Sequence, residues 1–265
     1  MNTVVSRDGT RIAFDRVGNG SPVILVDGAL CHRAFGPSKA LARELSPKFS
    51  VITYDRRGRG ESGNTRPYAV EREYEDIEAL ITAAGGSAGL VGFSAGAALA
   101  LAAVHHGAPA RKVAVYEPPF IVDAGRDPIP TDFRARLDAA IAAGRPGDAV
   151  RMFMKLVGAP SIMVTVMRLT PAWRKLKAVA HTLPYDIELV EQYQRGTALP
   201  PARWSGVRVP ALVLAGGKSP AWMRNAAKAL ADALPRAEHR VLAGQTHMVK
   251  PGVLAPGLVD FFAEA

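Results

Sequence analysis

The pentapeptide Gly92-Phe93-Ser94-Ala95-Gly96 has the form G-x-S-x-G. An apolar run, GLVGF, leads into it, and an Ala/Leu-rich stretch over 95–106 follows. A strand that turns sharply into a helix strains the backbone of the serine between them and needs small residues on both flanks. The turn lifts the hydroxyl above a sheet edge, at a helix N-terminus. The chemistry this suits is nucleophilic attack on an acyl carbonyl, which needs a base within reach of the hydroxyl. Taken alone, the pentapeptide also fits a glycine-flanked serine that merely caps a helix.

His247, in AGQTHMV, is the candidate base, since it follows the last apolar run and precedes the last helical stretch. The remaining histidines suit other roles. His105 and His106 are neighbours at a helix end, where a cation meets the helix dipole favourably. They point about 100° apart and share a metal ion poorly. His239 begins a strand, His181 lies in a helical region and His32 in a loop. A tight turn at Asp27-Gly28-Ala29, after the apolar run PVILV, can aim the Ala29 N–H at the serine. Together with the Ala95 N–H it would form a two-donor oxyanion hole. Cys31 is the only cysteine, which excludes an internal disulfide and a cysteine-based zinc cluster. Its default role is that of a small buried apolar residue.

The elements that must position these groups are legible as apolar runs. Strands are expected over 11–17, 22–27, 50–55, 89–93, 112–117, 211–216 and 239–244, several continuously apolar, as strands buried on both faces should be. A first segment, 3–6, is expected to pair with 11–17 through the Asp8-Gly9 turn. Helices are expected over 37–45, 70–84, 95–106, 220–234 and 255–262. Such alternation predicts a mainly parallel sheet with right-handed crossovers. Between 118 and 207 the alternation stops, and the chain reads as helices broken near Gly144-Arg145-Pro146, Gly158-Ala159-Pro160, Thr170-Pro171 and Leu183-Pro184.

Composition bounds the function classes. The 265 residues, 48% apolar and 22% charged, describe a globular chain. No run reaches the roughly 18 apolar residues of a membrane span. The N-terminus has no apolar signal core, so a cytoplasmic protein without a membrane partner is expected. The net charge of +9 is scattered, with no aromatic-interleaved basic run, so no nucleic-acid partner is expected. Gly58 to Gly63 spells GxGxxG after a strand. No helix follows at once, because Arg66-Pro67 intervenes, and acids about twenty residues on, such as Glu78, fall within a helix. Both features argue against a dinucleotide site.

With DGAL, YDRRGRGES, GFSAG and THMV in that order and spacing, the chain resembles the α/β-hydrolase superfamily, in its capped esterase, lipase and haloalkane dehalogenase-like branch with a serine nucleophile. The resemblance spans essentially the whole chain. It implies an eight-stranded, mostly parallel sheet flanked by helices, with a core of 1–118 and 207–265 and an inserted helical cap at 119–206. It also explains the glycine-rich stretch as the loop after the fourth strand. Two positions depart from the family. Asp27-Gly28 stands where His-Gly is usual, and Ser219 stands where members usually carry the aspartate that orients the histidine. A serine there holds the tautomer but brings no charge. Some haloalkane dehalogenase-like members place a glutamate at the end of the strand after the nucleophile helix, and Glu117 matches that position and type. Pro118 is expected to keep Glu117 extended. Asp123 is the reserve candidate.

The resemblance thus implies a serine hydrolase cleaving a carboxylic ester, thioester or lactone through an acyl-enzyme, acting on a small ester-like molecule. Ser94, His247 and Glu117 would be catalytic, with Ala29 and Ala95 as the oxyanion hole and no cofactor or metal. Two other readings remain: a cofactor-free perhydrolase or haloperoxidase, and a hydrolase-like pocket that only binds a small molecule.

Overall fold

A computed structural model describes residues 2–263; Met1, Glu264 and Ala265, at the ends of the expected core, lie outside the described residues. In chain order the first half holds β1 (Asn2–Val5), β2 (Arg11–Val17), β3 (Ser21–Val26), α1 (Ser38–Leu45), β4 (Phe49–Tyr54), α2 (Val70–Ala83), β5 (Ala88–Phe93), α3 (Ala95–His105) and β6 (Ala110–Tyr116). Five helices follow: α4 (Phe133–Ala142), α5 (Pro146–Leu156), α6 (Ser161–Met167), α7 (Pro171–Val179) and α8 (Leu183–Val190). The chain then returns through β7 (Ala211–Gly216), α9 (Ala221–Ala233), β8 (Ala237–Leu242) and α10 (Pro251–Ala263).

The strands form one eight-stranded sheet in the order β1-β2-β4-β3-β5-β6-β7-β8. β1 pairs antiparallel with β2, and β2 with β4; the pairings from β4 through β3, β5, β6 and β7 to β8 are parallel. The central strands β4, β5 and β7 are buried along their whole length, which is why their sequences show no polar alternation. One face is covered by α2, α3 and α9, through Ile77, Leu80, Leu99 and Leu230. The other is covered by α1 and α10, through Leu41, Leu45, Leu254 and Leu258. Helix α3 is apolar on nearly every side because it is buried on nearly every side.

Most boundaries lie within a residue of expectation; β6 starts two residues earlier, at Ala110, and the C-terminal elements differ too. β8 starts two residues earlier, at Ala237, and ends at Leu242, where its carbonyl turns to accept the Gly217 N–H and the chain bends at Gly244. α10 begins at Pro251, not 255: a proline suits a first turn, and Pro256 is tolerated inside. The four expected breaks between 118 and 207 all fall at helix boundaries. The helices there share a cluster of their own, built on Phe133, Leu137, Trp173, Leu176 and Leu183, which also takes in Leu30 from the loop after β3. Among the described residues no helix is long and apolar enough to cross a membrane.

Candidate active site

Ser94 sits between the end of β5 and the start of α3 with φ 52° and ψ −122°, a strained backbone for a residue with a side chain. Packing explains why glycines flank it. A Cβ on Gly92 would lie 2.6 Å from the Ala97 Cα, and one on Gly96 would collide with the Val26 carbonyl oxygen. The turn is tied to the sheet by the Ser94 N–H, which donates to the Tyr116 carbonyl at 3.0 Å.

His247 and Glu117 meet across 130 residues of sequence: His247 Nδ1 lies 2.8 Å from Glu117 Oε2. The imidazole is 35% exposed and the carboxylate not at all. Glu117 is not extended as the following proline suggested. Its φ is 45°, in the left-handed region. The Glu117 N–H still extends the β6 ladder to the Leu214 carbonyl, and the chain then turns back. Its Oε1 accepts the Gly216 N–H at 2.7 Å. A residue that strains its backbone to place two carboxylate oxygens on two donors is over-determined by its surroundings. Burial alone would raise the Glu117 pKa. The His247 ring, the Ser219 hydroxyl and the Gly216 N–H outweigh it and hold the carboxyl below its ordinary range. Ser219, buried beside this carboxylate, lies outside ordinary hydrogen-bond geometry, so its contribution is a dipole at close range. The His247 loop is anchored next door, where the Tyr116 hydroxyl donates to the Thr246 carbonyl at 2.6 Å.

The loop after β3 lies against the turn. A Cβ on Gly28 would stand 3.2 Å from the Ser94 Cβ and 3.0 Å from the Phe93 oxygen, so a larger residue would push the two backbones apart by a few tenths of an ångström. Ala29 and Ala95 both line the cavity that Ser94 and His247 line. Asp27 is buried, and Ser38 Oγ donates to its Oδ1 at 2.6 Å. Burial pushes its pKa up to about 6, with Ser38, Arg59 and Arg56 opposing. Burial, and then Asp27, also push the Cys31 thiol up to about 12, which leaves it a poor nucleophile.

Sequence reasoning missed what holds this loop. Arg59 Nη1 donates to the Gly28 carbonyl at 2.7 Å and to the Cys31 carbonyl at 3.3 Å. Its Nη2 donates to Asp186 Oδ2 at 2.7 Å, and its Nε to Thr182 Oγ1 at 3.1 Å. Arg56 donates to the other Asp186 oxygen at 2.6 Å and forks onto Glu73. Asp186, on α8, therefore ties the helical segment to the loop that carries Ala29. The signal available in sequence was the cluster Arg56, Arg57 and Arg59 in YDRRGRGES, which has more cations than the neighbouring carboxylates can pair. The GxGxxG of the same stretch closes on the protein itself: the Arg33 and Glu61 N–H groups donate to the Asp55 carboxylate.

The cavity has a volume of about 330 Å³. This is near the lower end of small-molecule sites, roughly 300–1,000 Å³. Apart from Ser94 and His247 its walls are mostly apolar, with Ile121, Ile129, Phe153, Leu156, Ile187 and Trp222 among them. His247 is the one histidine among its described lining residues. Asp123 is not brought to the site; its carboxylate accepts the Gly125 N–H and the Asn225 amide, on a different depression of the surface.

The profile of the alpha/beta hydrolase family matches residues 17–256. An alpha/beta hydrolase from Sphaerobacter thermophilus DSM 20745 is 51% identical with a TM-score of 0.90, over 98% of this chain and 100% of that one. The esterase RhEst1 from Rhodococcus sp. ECU1013 is 18% identical with a TM-score of 0.70, over 99% and 98%. The enol-lactonase from Burkholderia xenovorans LB400 is 21% identical with a TM-score of 0.72, over 99% and 100%. At those two identities the likeness is one of fold. The chain has no match among curated proteins.

Proposed function

The chain belongs to the alpha/beta hydrolase family, and on that premise we propose that it is a serine hydrolase that cleaves a carboxylic ester, thioester or lactone through an acyl-enzyme. Ser94 Oγ attacks the carbonyl carbon. Because Glu117 engages Nδ1 of His247, Nε2 is the ring nitrogen left to take the serine proton. The buried carboxylate stabilises the imidazolium that forms. The Ala29 and Ala95 N–H groups receive the negative oxygen of the tetrahedral intermediate. As the intermediate collapses, the bond to the leaving oxygen or sulfur breaks and His247 returns the proton to it. Water, activated by the same imidazole, then releases the acid and frees Ser94. These steps call on no cofactor or metal. The helices of 119–206 serve as a cap over a core of 1–118 and 207–265, and select the substrate. Esterase and enol-lactonase, the activities named for two of the fold neighbours, are reactions of this kind.

One observation carries the reading: a fully buried carboxylate in a strained backbone holds the imidazole that shares a cavity with a strained serine. Intact-mass analysis after treatment with a fluorophosphonate, followed by peptide mapping, tests it. The expected result is one adduct, on Ser94, lost on heat denaturation and in Ser94→Ala. A folded protein that acquires no adduct would overturn the reading and leave ligand binding as the role of the cavity.

A further inference from the structure

The buried arginines of this protein are matched to carboxylates: Arg33 to Asp55, Arg56 to Glu73 and Asp186, Arg57 to Asp76 and Asp8, and Arg59 to Asp186. Arg126 breaks the pattern. It stands on the loop between β6 and α4 and lines the Ser94 cavity. Its guanidinium lies 4.3 Å from the centre of the Trp222 ring, and its Nη2 donates to the Leu156 carbonyl. Among the described residues it has no carboxylate within the 4.0 Å of an ion pair. Burial pulls its pKa down, and no neighbouring group opposes that pull.

Two carboxylates nearby are engaged elsewhere, and a third, Asp127, is exposed and makes no ion pair with Arg126. Both oxygens of Asp186 are held by Arg56 and Arg59, and those of Asp123 by Gly125 and Asn225. Asp186 also lines the cavity, with both oxygens so engaged, and the remaining charged side chain there, Lys218, is a second cation. A half-buried cation with several unused N–H donors, set in an apolar wall, lacks the partner that desolvation demands. Its planar fork matches a carboxylate, and its position over the Trp222 ring, together with the Leu156 carbonyl, holds it at the cavity wall. The net charge of +9 draws anions towards the protein at long range.

We propose that Arg126 binds a carboxylate carried by the substrate, so that the ester or lactone cleaved is an anion whose charge sits apart from the scissile carbonyl. This rests on the reading of Ser94 as the nucleophile.

The test compares kcat/KM for mono-para-nitrophenyl adipate, which keeps a free carboxylate, with that for its neutral methyl ester. A charge-assisted hydrogen bond predicts that the wild type prefers the anion by about 10- to 100-fold. Arg126→Gln should bring this ratio to within about threefold of unity, mainly through KM, with Arg126→Lys between the two. Arg168→Gln, an exposed cation on the helical segment outside the cavity, removes the same net charge and should leave the ratio where it was. A wild type without the preference, or a preference that survives Arg126→Gln, overturns the proposal. Fluorophosphonate labelling of Ser94 in Arg126→Gln shows that its site is intact. Calorimetric binding of hexanoate against hexanamide to the wild type reads the same preference without a variant or turnover, and equal binding also overturns it. Hydrolysis of the neutral ester that persists in Ser94→Ala would sink the parent reading instead. Ser94-dependent hydrolysis without anion preference sinks only this one.

Discussion

Glu117→Gln changes one atom in a carboxylate that serves two donors. In the wild type Oε1 accepts from the Gly216 N–H and Oε2 from His247 Nδ1. Glutamine has one oxygen for these two N–H groups. If the oxygen stays on Gly216, the amide NH₂ faces Nδ1 and selects the tautomer with its proton on Nε2, which cannot accept from Ser94. If the oxygen turns to Nδ1, a buried backbone N–H faces an amide NH₂. Either way the imidazolium loses its charge partner. Two unit charges about 4 Å apart at an effective dielectric near 20 interact by about 4 kcal/mol. That is nearly three powers of ten in rate, and the tautomer penalty adds to it. The expected loss in kcat is therefore about 10³- to 10⁴-fold, with KM changed by no more than a few-fold. Para-nitrophenyl butyrate hydrolysis, corrected for active sites and paired with a thermal melt, measures it. Ser219→Ala, which removes a dipole and not a charge, should lose less than about tenfold. A Glu117→Gln variant that keeps kcat within about tenfold, or a Ser219→Ala variant that loses more than Glu117→Gln, would refute the assignment of the charged partner.

Other outcomes follow from the same geometry. Gly28→Ala places a methyl 3.2 Å from the Ser94 Cβ and pushes the Ala29 loop outward. The expected loss is about 10²- to 10³-fold in kcat, that of an oxyanion donor, with an almost unchanged melting temperature. Asp186→Asn leaves Arg56 and Arg59 to share a neutral amide. It should cost about 3–5 kcal/mol, roughly 6–20 °C in Tm, and lower kcat through the slackened Gly28 carbonyl. Asp27, raised from an ordinary 3.8 to about 6, favours its neutral form in the fold by about 3 kcal/mol. That contribution is complete below the unfolded pKa and is lost as pH rises through 6, so Asp27→Asn should raise Tm relative to wild type at pH 7 more than at pH 4. Glu117 has the opposite sign: its depressed pKa contributes stability above the unfolded pKa of about 4.3, lost as pH falls through the folded value. Melts of Glu117→Gln should accordingly show a shallower acid limb than wild type.

Much of this site could be read before any coordinates. Ser94 was legible because the strained turn needs glycines at fixed offsets. His247 was legible because it follows the last apolar run. Glu117 was legible by strand position and by the failure of Ser219 as a charge. Its left-handed backbone was not, because it accompanies partners far away in sequence, the Gly216 N–H 99 residues on and His247. Asp186 escaped for a similar reason. In PYDIELV it looks like the polar face of a helix, and only the packing of α8 over the loop after β4 turns it into a buried partner for two guanidinium groups. The late start given to α10 overlooked Pro251, which suits a helix's first turn.

The helical segment leaves the sheet after β6 and re-enters at β7, and these strands are direct neighbours, with Tyr116 opposite Leu214. Both ends of the excursion are thus pinned by a ladder that forms whatever lies between them. Loop-closure entropy grows slowly, by about 0.6 kcal/mol for each doubling of length. The segment is therefore an exchangeable module: a lineage or an engineer can shorten, lengthen or replace it while the histidine, its carboxylate and the serine stay in register. The exchange has two conditions, the first being that a replacement fill the space Leu189, Val190 and Trp204 now take in the core over the sheet. The second is a carboxylate where Asp186 now stands, or Arg56 and Arg59 become two stranded cations beneath the loop that carries Gly28 and Ala29.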